Sequence, residues 1–251
     1  MAERPTLDTD ALPRLISAYR PKPGVADELL DETGKVRSVW RPLIDHLSRL
    51  TRDEIDEHFA RGTNYLRDAG VYFRQYSTAP SPEREWPLSP VPVIIHESEW
   101  AEICAGLAQR ADLLEQVMAD LYGPADLVTG GHLPAELIAR SPGWLRPLVG
   151  IRPASGFFLH LLSFEISRNP NGSWFVLGDR VQAPSGAGFA LENRIATTRI
   201  FNDLYPRSNI QRLAGFFRSF REAMDGLPGT RNRRSAILTP GPNNASYFEH
   251  T

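Results

Sequence analysis

The sequence is poor in the features that mark the commoner functional classes. It has one cysteine, Cys104, so no intrachain disulfide framework is open to it, and a reducing, cytoplasmic setting is the expectation. It has no excess of positive charge: 28 Lys plus Arg stand against 30 Asp plus Glu, a formal net charge of -2, which argues against gripping a nucleic-acid backbone. No apolar run approaches the roughly 20 residues that cross a bilayer, so no membrane partner is expected. Residues 1–19 mix Glu3, Asp8 and Asp10 with Pro5 and Pro13 rather than following the basic-then-apolar order of a signal peptide. The six histidines, at 46, 58, 96, 132, 160 and 250, form no pair at helical or strand spacing, which speaks against zinc. No Gly-x-Ser-x-Gly elbow, phosphate-loop string, dinucleotide Gly-x-Gly-x-x-Gly fingerprint or internal repeat occurs.

What the chain does have is punctuation. Its 21 prolines and 19 glycines imply many short segments and loops, and 251 residues suffice to bury a core without a covalent staple. The expected fold class is α+β, with a helical N-terminal region packed on a mostly antiparallel sheet. Residues 1–130 read as mainly helical, residues 131–234 as a hairpin followed by a polar signature region, and residues 235–251 as the start of a further α/β subdomain. Thr51 and Glu54 make a capping box for a helix carrying Ile55, Phe59 and Leu66 and ended by Gly70. Residues 71–76 and 93–95 read as short strands. Ser98 is the expected cap of a second helix, in which Trp100, Ile103, Leu107, Leu114, Val117 and Leu121 recur at helical spacing until Gly123-Pro124 stops it. Cys104 lies beside that stripe and is expected to be a small buried hydrophobe. Residues 157–166 and 173–177 form a predicted hairpin across Asn169-Pro170-Asn171-Gly172, and Ile210, Leu213, Phe216, Phe217, Phe220 and Met224 mark another helix. Arg231, Arg233 and Arg234 read as a solvated linker in preference to an anion site, and residues 235–238 as a strand.

The densest polar stretch is Asp179-Arg180-Val181-Gln182-Ala183-Pro184-Ser185-Gly186-Ala187-Gly188, running on to Leu191-Glu192-Asn193-Arg194. Charged groups at a strand end, followed by a Ser-Gly loop whose N–H groups can approach an anion, suit phosphate binding. Arginines supply planar donors to phosphate oxygens, and carboxylates can hold magnesium. The same residues also suit a turn and helix start that satisfy one another. Glu165 and Arg168 on the preceding strand are expected to face this loop or to form a structural ion pair.

This stretch closely resembles the signature of circularly permuted type 2 ATP-grasp proteins. The resemblance extends over nearly the whole chain through Asp27-Glu28-Leu29-Leu30, Trp40-Arg41-Pro42, Trp86-Pro87-Leu88, Glu99-Trp100, Gln109-Arg110, Asp120-Leu121-Tyr122-Gly123-Pro124, Leu238-Thr239-Pro240-Gly241-Pro242 and Tyr247-Phe248-Glu249-His250. It implies kinship with glutathionylspermidine synthase, in which ATP and magnesium convert a carboxylate to an acyl phosphate that an amine attacks. On that pattern Arg168 and Arg194 are the catalytic candidates. Arg168, Asp179, Arg180, Gln182, Ser185, Gly186, Asn193 and Arg194 would contact the nucleotide, and Asp179 and Glu192 would hold magnesium. Gly178 and Arg180 stand where a sister group has Glu and Asn as metal ligands, Glu165 replaces a usual Asp, and Ser89 replaces another.

Family chains run on beyond the Tyr-Phe-Glu-His block, so a truncated chain is expected. It would need either the missing C-terminal half or a partner chain, and would act on a small-molecule or peptide substrate. The alternative is a noncatalytic binding or scaffold module derived from the same ancestor.

Overall fold

Every element that positions the polar stretch is helical except one hairpin. The computed structural model describes residues 19–73, 84–228, 236–239, 241–245 and 247–250. Pro42, in the first turn, starts α1 (Arg41–Leu47), because its fixed φ and missing N–H cost nothing there. The capping box then opens α2 (Arg52–Asp68): Glu54 N–H donates to Thr51 Oγ1, and the Glu54 carboxylate accepts from Thr51 N–H at 2.7 Å. Gly70, with φ +74°, closes it. Leu43, Ile44 and Leu47 of α1 pack with Val36, Trp40, Ile200 and Phe201 into one buried cluster, and Leu66, Val71 and Ala196 form a second. Each large apolar side chain so buried contributes about 1.5–3 kcal/mol.

Both clusters draw on α6 (Ala187–Ile200), so the N-terminal helices and the signature helix share one core. Gly62 makes their approach close enough. A Cβ there would lie 2.6 Å from Ile200 Cδ1.

Between these helices the chain runs through β1 (Tyr72–Phe73) and β2 (Arg84–Glu85), which pair with each other, then α3 (Glu97–Leu121), α4 (Asp126–Thr129) and α5 (Ala135–Ala139). The hairpin β3 (Ser163–Arg168) and β4 (Trp174–Arg180) leads directly into the loop before α6. Its turn is closed by Asn169 N–H to Ser173 O at 2.8 Å and Gly172 N–H to Asn169 O at 2.8 Å, with Gly172 at φ +84°. Last come α7 (Ala214–Asp225) and α8 (Tyr247–His250).

The fold is α+β, as expected, but the described strands form two separate two-stranded antiparallel sheets rather than one larger sheet. Residues 93–95 form no strand among the described residues. Pro90 and Pro92 remove ladder donors just upstream, Val93 faces solvent, and Ile94 packs on the α1 cluster. Of the strand expected over 71–76, residues 74–76 lie outside the described residues. The hairpin starts at Ser163 rather than Phe157, because the N–H groups of Phe158 and Leu159 donate to the Glu115 carboxylate instead of a ladder.

His96, not Ser98, caps α3: its Nδ1 accepts from Ser98 N–H at 3.3 Å. Cys104 is exposed, since in α3 only Ile103, about 100° around the helix, is fully buried. α7 starts at Ala214, leaving Ile210 before it. Residues 236–239 form no strand, and Ile237 and Leu238 lie open to solvent. Ser235 and the Arg231, Arg233, Arg234 group lie outside the described residues. Among the described residues no helix is long and apolar enough to cross a membrane.

Candidate functional site

The loop 181–186 joins the end of β4 to the start of α6, and its backbone is shaped by Ala183 at φ +42° and Gly186 at φ +119°. Gly186 is the N-cap of α6 and offers no side chain, so the first amides of the helix need another acceptor. They find Glu249 of α8. Its Oε1 accepts from Gly186 N–H and, at 3.4 Å, from Gly188 N–H, while Oε2 is buried with no partner. A Cβ on Gly188 would meet Glu249 Cγ at 2.8 Å and its Cα at 3.0 Å, so glycine is what admits α8 here. An anionic group at a helix N-terminus is favoured by the free N–H groups and the helix dipole together.

The other polar side chains of the stretch are held from the N-terminal half. Arg110, in the middle of α3, grips Asp179 as a fork: Nε to Oδ1 at 2.6 Å and Nη2 to Oδ2 at 2.7 Å. Those hydrogen bonds keep the Asp179 carboxyl below the usual carboxylate range. Tyr65 of α2 donates to Glu192 Oε2 at 2.7 Å; burial, reinforced by that bond, pushes the Tyr65 phenol up to about 12. Trp86 Nε1–H donates to Asn193 Oδ1 at 2.7 Å, and its ring stacks on Phe189 at 4.2 Å. Phe189 in turn stacks on Phe248 at 6.3 Å, which docks α8. Arg180 pairs with Glu165 at the surface. Gln182 and Ser185 are exposed. Arg194 is half-buried on α6, with no ion pair or side-chain hydrogen bond to another described residue.

Arg168 does not join this group. The register pairs it with Trp174 at the turn end of the hairpin, while the loop begins after Arg180, six residues away or about 20 Å along the strand. There it is 6% exposed. It forks onto Glu28 at 2.7 and 3.0 Å, donates to Glu99 at 2.5 Å and to Gly172 O at 3.0 Å, and lies 4.1 Å from the Trp174 ring centre. Burial opposes its charge, but the Glu99 and Glu28 hydrogen bonds outweigh it and raise the guanidinium pKa further. The same Arg168 bond lowers the Glu99 carboxyl.

The sequence pattern of the family described as "Circularly permuted ATP-grasp type 2" matches residues 92–251. The chain belongs to that family. An uncharacterized Synechocystis protein is 34% identical over 227 residues, covering 90% of this chain and 47% of that protein. A Mycobacterium leprae protein is 29% identical over 227 residues, 90% of this chain and 40% of its own length. A Frankia casuarinae protein that carries the provisional name glutamate–cysteine ligase 2-2 is 31% identical over 242 residues, 95% of this chain and 28% of its own. The chain thus spans less than half the length of these relatives.

The residues that sequence reasoning gave no role are the holders: Glu28, Tyr65, Trp86, Glu99, Arg110 and Glu249. All but Tyr65 lie in the short blocks that resemble the family, so the signal was present without its meaning. Tyr65 sits mid-helix in no such block, and nothing in its neighbourhood announces a partner 127 residues away.

Proposed function

We propose that this chain is the phosphate-facing part of an ATP-dependent carboxylate–amine ligase. The observation that carries this reading is the carboxylate of Glu249 seated on the first amides of α6, which marks that helix start as a place where an anion is held. Arg194, which lies on the same helix and has no side-chain partner among the described residues, is the guanidinium available to a phosphoryl group, and exposed Gln182 and Ser185 border the loop. With Asn193, and with Gly186 once Glu249 yields its N–H, they form the nucleotide-facing set. Arg180 would have to leave Glu165 to join it. Arg168 serves better as the tie that fixes the hairpin, given its distance from the loop and its committed donors. The reaction would be activation of a carboxylate as an acyl phosphate followed by attack of an amine. The Frankia relative carries the provisional name of a glutamate–cysteine ligase, a class that joins a carboxylate to an amine, and the match covers 28% of its length.

Magnesium, which the family brings with ATP, has two candidate ligands here, Asp179 and Glu192. Both Asp179 oxygens are taken by Arg110 and one Glu192 oxygen by Tyr65. Among the described residues no three His, Cys, Asp or Glu side chains gather as a metal set. As placed, these residues do not fit a divalent ion.

The complete activity calls for more polypeptide than this, whether as a continuing half or as a separate chain, and exposed Ile237, Leu238 and Leu177 offer apolar surface for it. Those same surfaces favour the second reading, a noncatalytic module that docks onto a partner. Thermal unfolding with ATP separates the two. At ten times its dissociation constant ATP stabilises by about 1.4 kcal/mol, a rise of about 3–6 °C for a chain of this size. The ligase reading expects that rise and its loss in Arg194→Ala, with the ATP-free midpoint unchanged. No rise in the unmodified chain favours the docking module.

A further inference from the structure

The carboxylates around the end of β4 are each matched to a donor of the protein's own. Glu165 is paired with Arg180, Asp179 with Arg110, and Glu192 with Tyr65. Arg194 adds a third guanidinium to the same region, and the nearby Glu249 carboxylate is committed through Oε1 to the amides of Gly186 and Gly188. A hard divalent ion needs oxygen ligands with negative charge to spare, and this arrangement leaves little. Gly178 adds none: the position its Cβ would occupy is 3.6 Å from Glu165 Oε2, which belongs to the carboxylate already held by Arg180.

The Arg110–Asp179 pair is the centre of this balance, and its geometry is that of a preset contact. Both oxygens are used, at 2.6 and 2.7 Å, by a planar fork whose shape matches the carboxylate. Arg110 projects from the middle of a 25-residue helix, so its backbone is held on both sides. Asp179 is the more covered partner, its side chain 21% exposed against 42% for Arg110. The register shift between Glu165 and Ile166 falls just before it and sets which way the last residues of β4 point.

We propose that Arg110 is the resident cation of Asp179, standing where a divalent ion would stand, so that this region neutralises the carboxylate without a metal. Arg110 is then a positioning residue: it fixes Asp179 and the strand end from which the loop departs. The inference concerns the carboxylate and its counter-charge; it rests on the nucleotide reading only where ATP enters the test.

Manganese(II) alone is the probe, followed by the loss of its free-ion electron paramagnetic resonance signal on titration with the full chain. Unmodified chain and Asp179→Asn are expected to remove the same amount of signal. Binding by the unmodified chain that Asp179→Asn abolishes would overturn the proposal. Thermal midpoints give a second, metal-free arm. Arg110→Met and Asp179→Asn should each lower the midpoint, and the double variant should fall no lower than the worse single one, because the two changes break one contact. Additive falls would show that the two groups act separately and would also overturn it. ATP keeps this failure distinct from failure of the ligase reading. An ATP-induced rise equal in magnesium and in EDTA supports both ideas. A rise that needs magnesium and vanishes in Asp179→Asn overturns the resident-cation proposal but leaves the ligase reading intact. No rise in either condition counts against the ligase reading, while the manganese comparison still decides the role of Arg110.

Discussion

Arg168 ties three stretches that are distant in sequence: the turn carrying Glu28, the first turn of α3 carrying Glu99, and the hairpin itself through Gly172 O and the Trp174 ring. Its side chain is 6% exposed, against 29% and 26% for Glu28 and Glu99, so the guanidinium is the component that cannot be replaced by water. Arg168→Met should destabilise the chain by about 3 kcal/mol, since removing one member of a buried ion cluster leaves the others uncompensated. Arg168→Lys should recover little, because an ammonium cannot fork onto Glu28 while also reaching Glu99. Urea unfolding of the three chains measures both. At this scale the sequence was only partly legible. That Arg168, Asp179 and Arg194 carry charge near a hairpin could be read directly. Which of them keeps its charge free could not, because the partners lie 69 to 140 residues away.

Helices α1, α2 and α6 meet around two histidines. His58 of α2 is buried, and its Nδ1 lies 2.9 Å from Ile200 O at the end of α6, a distance that suits donation to the carbonyl. His46 of α1 stacks obliquely 6.1 Å away, with Nε2 buried and unpartnered. Burial first, and His58 second, hold the His46 pKa below its ordinary value of 6.5. As pH falls through about 6.5 the unfolded chain takes up a proton at His46 that the folded chain refuses. Stability is therefore full above that pH and declines below it until the lower folded pKa is reached. The slope is at most about 1.4 kcal/mol per pH unit for this one group. Urea midpoints between pH 7.5 and 5.5 should show the decline, and His46→Gln should flatten it.

Local chemistry made the helices legible. The Thr51–Glu54 box, Gly70, and the Gly123-Pro124 stop all act within a turn or two, and α2 and α3 follow from them. The strands expected at 93–95 and 235–238 share an apolar composition with real strands, but pairing is decided elsewhere in the chain. Residues 93–95 and 236–239 pair with no strand among the described residues.

Over the whole molecule, burial is uneven. α2 and α6 enclose Leu66, Ala196 and Ile200, whereas α7 has no buried residue and leaves Phe216 and Phe220 partly open. Amide hydrogen exchange should follow that division, with the slowest amides in α2 and α6 and the fastest helical amides in α7. Equal protection of α7 and α6 would mean that α7 is covered in solution. The resemblance to circularly permuted type 2 ATP-grasp proteins agrees with the family match over residues 92–251. It did not predict that the N-terminal helices would supply the side chains that hold that signature in place.

The contact between Gly188 and Glu249 carries a consequence for the order in which the protein is made. The two residues are 61 positions apart. At a synthesis rate of about 5–20 residues per second, the loop waits on the order of 3 to 12 s after Gly188 is joined before its acceptor exists. During that interval α2, α3 and the hairpin have all left the peptidyl-transfer centre and can assemble, while the first amides of α6 have only water. The loop between β4 and α6 therefore gains the acceptor for its first amides only after residue 249 has been added.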